Sequence, residues 1–256
     1  MVTIDLRLTR LLVALGLFPL LLAGCLFLPG KFESALVIHA DRSFTYSYKG
    51  EVLAIDVSAL MGKAVAAGIE ASAKGDKNNP GKTPDLALTP DEKAKQDAQF
   101  REIAAQVAKE SGYRTVEYRG DGVFYVDYSI SGKLTHNFVF PYNQDAQMIF
   151  PFLAIELRGK DQLRVKAPGF AQQGGRSTPG MSGMGTPDTS ASIGKALGLG
   201  SGKTIDGVFT LTTDAEIVSQ NNEDGAVAGP AGRTIRWHVT PRTTDAPMAM
   251  LRVAPM

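Results

Sequence analysis

Residues 32–40 alternate, with Phe32, Ser34, Leu36, Ile38 and Ala40 on one side of an extended chain. After a turn near Asp41-Arg42 the alternation resumes at Phe44, Tyr46 and Tyr48. A period of two with aromatics on one face predicts a half-buried antiparallel hairpin. Residues 52–72 are Ala-rich and shift toward a helical period, so a helix is expected there. A Gly/Asn/Pro-dense loop follows. The clearest helix starts at Thr89-Pro90-Asp91-Glu92: Thr89 caps, Pro90 suits the first turn and Glu92 completes a capping box. Its apolar stripe, Phe100, Ile103 and Val107, is narrow, and Gly112 ends it.

Strand patterns return at "YRTVEY" and "VFYVDYSI", joined through Arg119-Gly120-Asp121-Gly122, a tight turn. "LTHNFVF" adds a strand and "FLAIELR" with "LRVKA" a further hairpin. Residues 168–204 change character, with ten glycines, and predict a flexible insertion. "IDGVFTLTT", "AEIVSQ", "RTIRWHVT" and "MAMLRVA" then read as strands. Strands without strict βαβ alternation predict an α+β fold: a mostly antiparallel sheet with two helices packed on one face and a long Gly-rich loop. Residues 32–256 are expected to form a single domain.

The first thirty residues follow another logic. Arg7 and Arg10 precede the uncharged run Leu11–Leu22, then come Ala23, Gly24 and Cys25, the only cysteine in the chain. The run has the length of an export-signal core. Stretched to Pro29 it approaches a spanning length, so a membrane helix with an incidental cysteine is the alternative. Leu22-Ala23-Gly24-Cys25 resembles a bacterial lipobox at every position. The resemblance implies cleavage between Gly24 and Cys25, removal of residues 1–24, and a covalent diacylglyceryl and acyl lipid on the Cys25 sulfur. Residues 25–31 would then be the lipidated N-terminus and a short tether. Two or three acyl chains hold a protein to a bilayer where one does not. Leu26 stands where an aspartate would signal inner-membrane retention, which points to the periplasmic face of the outer membrane and leaves the inner membrane open.

Removing Arg7, Arg10 and Asp5 from 27 basic and 26 acidic residues leaves the two signs balanced. No basic block remains, which argues against a nucleic-acid partner. A lone cysteine allows no internal disulfide.

The tempting motifs fail on spacing. Gly202-Lys203-Thr204 and Gly81-Lys82-Thr83 have Leu197 and Asp76 where a phosphate loop needs glycine, so no nucleotide is expected. Ser182 in "GMSGMG" has Met184 where a hydrolase elbow needs glycine. His39, His136 and His238 lie apart in strand-like segments, without metal spacing. Asp121 reads as a turn residue and Asp127 as a solvent-facing one, so no acid–base pair is expected. No enzyme, no metal and no cofactor beyond the lipid are expected. Tyr113, Tyr118, Phe124, Tyr125 and Tyr128 make an aromatic hairpin that packs in the core or lines an apolar pocket for a lipid. Met181 and Met184 offer adaptable apolar contacts.

Lys166-Ala167-Pro168-Gly169, Asn221-Asn222 with Gly225, and Gly232-Arg233-Thr234-Ile235-Arg236-Trp237, following the early hairpin with Asp41, Phe44 and Tyr48, resemble the pattern of LppM-like bacterial lipoproteins. That resemblance implies a membrane-anchored, nonenzymatic α+β domain with lipid or glycolipid binding. The sequence therefore predicts an envelope lipoprotein that binds a lipid or other apolar component. A structural or assembly protein acting through envelope protein partners is the alternative.

Overall fold

The computed structural model describes residues 25–56, 88–141, 151–171 and 205–255. Strands β1 (Cys25–Ile38) and β2 (Ser43–Asp56) form a long antiparallel hairpin, with Leu36 opposite Tyr46 and Ser34 opposite Tyr48. The pairing begins at Cys25 itself, opposite Asp56, and shifts register once between Pro29 and Phe32. Helix α1 (Pro90–Val107) precedes the hairpin of β3 (Tyr113–Tyr118) and β4 (Val123–Lys133). Strands β5 (Phe138–Phe140), β6 (Leu153–Arg158) and β7 (Gln162–Lys166) lead to a short 3-10 turn, Pro168–Phe170. Strands β8 (Asp206–Thr213), β9 (Glu216–Gln220), β10 (Val227–Gly229), β11 (Gly232–Val239) and β12 (Met248–Arg252) complete the described chain.

The strands make two sheets. The seven-stranded sheet has the order β10-β11-β8-β1-β2-β4-β3, and the five-stranded sheet β5-β6-β7-β12-β9. Among these pairs only β1 with β8 is parallel; the rest are antiparallel. Register places whole rows of side chains on one face. Trp237, Phe209, Ser34, Tyr48 and Tyr128 are successive neighbours across five strands. This inner face meets the five-stranded sheet through aromatic rings. Phe140 lies 5.2 Å from Tyr46, 5.4 Å from Tyr48 and 4.6 Å from Tyr128, between ring centroids. Phe170 stacks on Phe32 at 4.3 Å and meets Phe209 at 5.5 Å. Leu153, Ile155, Leu163, Val165 and Leu251 are fully buried behind them.

The expected α+β arrangement with two helices on one sheet is overturned. The fold is mostly β, with two sheets and one α-helix among the described residues. Val52–Asp56, expected to open a helix, are the end of β2; residues 57–72 lie outside the described residues. Consecutive Val52, Leu53 and Ala54 are all buried. A strand covered on both faces loses its alternation and then cannot be told from a buried helix by periodicity. The expected Gly-rich insertion opens on ordered chain, since Pro168–Phe170 is a turn that seats Phe170 in the core. Residues 172–204 lie outside the described residues.

Candidate functional site

Helix α1 is built as its sequence implies. Thr89 Oγ1 accepts from the Glu92 N–H at 3.3 Å, and a Glu92 carboxylate oxygen accepts from the Thr89 N–H at 2.8 Å. Its inward residues are Phe100 and Ala104. Phe100 meets Tyr118 and Phe124 at 5.6 Å each, so the space beneath the helix is filled by rings. Tyr128 is wedged among Tyr113, Tyr46 and Phe140. The aromatic hairpin therefore serves mainly as core. Tyr125 alone of its five rings stands on the outer face, with the Arg119 guanidinium 4.2 Å from its centroid.

Burial sets the electrostatics of these tyrosines. Loss of solvent pushes the Tyr46, Tyr48, Tyr113 and Tyr128 hydroxyls above their ordinary range. The Tyr118 hydroxyl is pushed up to about 12, by burial first and by its hydrogen bond to Asp97 second. Tyr46 shares a 3.2 Å hydrogen bond with the Ser34 hydroxyl, and Tyr48 donates to the Glu51 carbonyl at 2.7 Å. These are satisfied buried polar groups, held protonated and unsuited to proton transfer near neutrality.

The other sequence candidates disperse. His39 pairs with Asp214 at 3.0 Å, a bond that, with the Ala40 N–H, holds the Asp214 carboxyl below its usual range. His136 contacts its neighbour Thr135, and His238 lies on β11. Asp121 sits in the β3–β4 turn at φ 52° and Asp127 on the outer face, opposite Lys49. No group of three or more His, Cys, Asp or Glu that could hold a metal occurs among the described residues. Ser182, Met181, Met184 and both Gly-Lys-Thr triplets lie outside them, as does Gly24. Cys25 is placed as the first residue of β1. No helix among the described residues is long and apolar enough to cross a membrane.

Two concavities among the described residues bear on a binding role. The first is a cleft of about 190 Å³ at the end of the sandwich, where β2 and β4 meet β5. Phe44, Ile130, Leu134 and Phe138 form its walls, with Lys133 and His136 among its lining residues. Phe44 and Phe138 are in tilted contact at 5.2 Å, and Gly132, lacking a side chain, leaves room beside Phe44. Behind it, Arg42 is buried at positive φ and donates from its guanidinium to the Leu134 carbonyl. The volume is comparable to an apolar cavity of about 150 Å³ that takes a benzene-sized guest. The second concavity is an open groove of about 510 Å³ across the outer face of the seven-stranded sheet, lined largely by charged and polar side chains. Sequence reasoning missed both. The cleft joins residues from three strands, and the groove joins residues separated by up to 209 positions, from Lys31 to Thr240.

No family model matches the chain, and no curated protein matches it. Among solved structures, the NMR structure of the folded domain of Mycobacterium tuberculosis LppM is similar at 17% identity with a TM-score of 0.28. That likeness covers 90% of this chain and 94% of the other. A TM-score that low carries neither fold nor function across.

Proposed function

We propose that the chain is a bacterial cell-envelope lipoprotein, held by lipid on Cys25 at the periplasmic face of the outer membrane, whose folded part binds an apolar group without catalysing a reaction. The observation that carries the anchor is the lipobox sequence Leu22-Ala23-Gly24-Cys25, whose cysteine is also the first residue of β1. Cleavage before Cys25 would leave the sandwich strand starting at the lipid, with no separate tether. The apolar cleft at the end of the two sheets supports the binding role, since small-molecule sites are concave and mostly apolar with a few polar groups. Its size suits the end of an acyl chain or a single ring. The filled space under α1 favours the second reading, an assembly protein acting through surface contacts.

The anchor is tested by metabolic labelling with a radioactive fatty acid. The parent chain should incorporate label and shorten, and Cys25→Ala should do neither; labelling of that variant would refute the lipobox. The cleft is tested by native mass spectrometry of the full chain released gently from detergent. A stoichiometric apolar adduct that disappears in Gly132→Val supports binding. A parent chain without adduct shifts the assignment to the assembly role. A Cβ at this position meets only the Phe44 ring edge, at 3.6 Å, so the backbone has room for a side chain there and the variant should fold.

A further inference from the structure

The outer face of the seven-stranded sheet has two regions of different chemistry. Its middle is short: Ala35, Val37, Thr45, Ser47, Thr210 and Thr212. Two adjacent rows toward the Cys25 end of β1 carry long side chains. Register puts Lys49, Glu33 and His238 in one row, by way of Val208. Tyr125, Lys31 and Asp206 belong to the other, since Tyr125 faces Glu51 and Lys31 faces Asp206. Between them lies the rung of Gly50, Phe32, Gly207 and Val239, where Phe32 and Val239 turn inward and the glycines have no side chain. Nothing from that rung rises on the outer side, and the open groove of about 510 Å³ runs along it.

The register also gives the groove its dimensions. It crosses five strands, β4, β2, β1, β8 and β11, which at about 4.8 Å per strand spacing is a length of about 19 Å. Its walls stand two residues apart on each strand, about 7 Å. The shape is that of a trough open to solvent, suited to an extended chain lying across the strands.

The chemistry narrows the occupant. Lys31, Lys49, Glu33 and Asp206 make no ion pair among the described residues, although Glu33 and Lys49 are cross-strand neighbours. The rows hold Lys31 and Lys49 against Glu33 and Asp206, with Asp127 opposite Lys49, Glu51 opposite Tyr125 and the Arg119 guanidinium on the Tyr125 ring. Charges of both signs are thus interleaved, and neither offers a strong field to a polyanion or a polycation. The trough has instead ammonium donors and carboxylate acceptors spread along its length, and at its end the half-buried Tyr125 ring, one face of which carries the Arg119 guanidinium. Ionised groups hydrogen-bond neutral hydroxyls more strongly than neutral side chains do. An aromatic face gives the apolar side of a ring a surface to lie on. We propose that this trough binds an uncharged, hydroxyl-rich glycan chain, several sugar rings long, laid across the strands. The assignment is independent of the anchor and of the apolar cleft, which faces the inside of the sandwich.

Calorimetry of the full chain in detergent, titrated with chitotetraose, cellotetraose and maltotetraose, and with N-acetylglucosamine and glucose as single-ring controls, tests it. The expected result is binding of at least one tetrasaccharide, about tenfold or more tighter than its monosaccharide. The affinity should be insensitive to salt, because the ligand is neutral. Glu33→Gln combined with Asp206→Asn should weaken it about tenfold or more, the cost of replacing charged hydrogen-bond partners. Tyr125→Ala should weaken it too, while Gly132→Val in the cleft should not. All the changed trough residues lie on the sheet surface, so the variants should keep the parent circular dichroism. Absence of tetrasaccharide binding at millimolar concentration would overturn the proposal. So would affinity unchanged in the trough variants, or affinity that falls steeply with salt.

Discussion

Asn221 shows how one side chain can tie two sheets together. Its Oδ1 accepts from the Trp237 indole N–H at 3.2 Å and from the Met248 N–H at 2.8 Å, and its Nδ2 donates to the Ala246 carbonyl at 2.8 Å. Trp237 belongs to the seven-stranded sheet and Met248 to the five-stranded one. Asn221→Ala leaves two donors and a carbonyl to find other partners, but these bonds are exposed or part-buried and water can replace them, so the net cost should be about 0.5–1.5 kcal/mol. Urea unfolding should show a midpoint shift of that size with an unchanged slope. The core tyrosines give a pH prediction at the same scale. Their folded pKa values are raised above the ordinary 10, so the folded chain keeps protons that the unfolded chain releases. The tyrosines' contribution to stability should therefore be level from neutrality up to about pH 10 and fall as pH rises above it. Ultraviolet titration should show tyrosinate appearing together with unfolding; tyrosines that ionise freely near pH 10 in the folded chain would contradict the packing.

At the scale of elements, the capped helix is the simplest case to test. Thr89→Ala removes an N-cap acceptor and half of a reciprocal capping box, which should cost about 1 kcal/mol. Thr89→Ser should restore most of it, as read by thermal unfolding. This helix was legible in the sequence because its signal is local: Thr89, Pro90 and Glu92 lie within four residues. The β1–β2 and β3–β4 hairpins were legible for the same reason, through alternation and the Gly120-Asp121-Gly122 turn, where all three residues adopt positive φ. Val52–Asp56 were misread because burial of three successive residues erases the period of two. The parallel pairing of β1 with β8 was not legible either. It joins Lys31–Ile38 to Asp206–Thr213, and no local pattern states which distant strand will be the neighbour. Both concavities inherit that difficulty, since each exists only once strand order is known.

At the scale of the molecule, the two sheets share one aromatic core, and that makes a claim about cooperativity. Phe170 comes from a three-residue turn between β7 and β8, yet its ring meets Phe32 and Phe209 of one sheet and Phe152 beside the other. Phe152 in turn contacts Tyr48 and Phe140. A chain of rings this continuous leaves no plane along which the sheets could separate without exposing several of them. Unfolding should thus be a single transition. The fluorescence of Trp237, the only tryptophan, reports the seven-stranded sheet, and far-ultraviolet circular dichroism reports both sheets. The two curves should coincide in urea. Phe170→Leu keeps an apolar side chain but removes the ring, and should lower both midpoints together by about 1–3 kcal/mol, less than the 3–5 kcal/mol of full truncation to alanine. If the variant instead split the curves, with fluorescence retained while circular dichroism fell, the sheets would be separately stable. The turn at Pro168–Phe170 would then be a hinge between two units, not the joint that locks them.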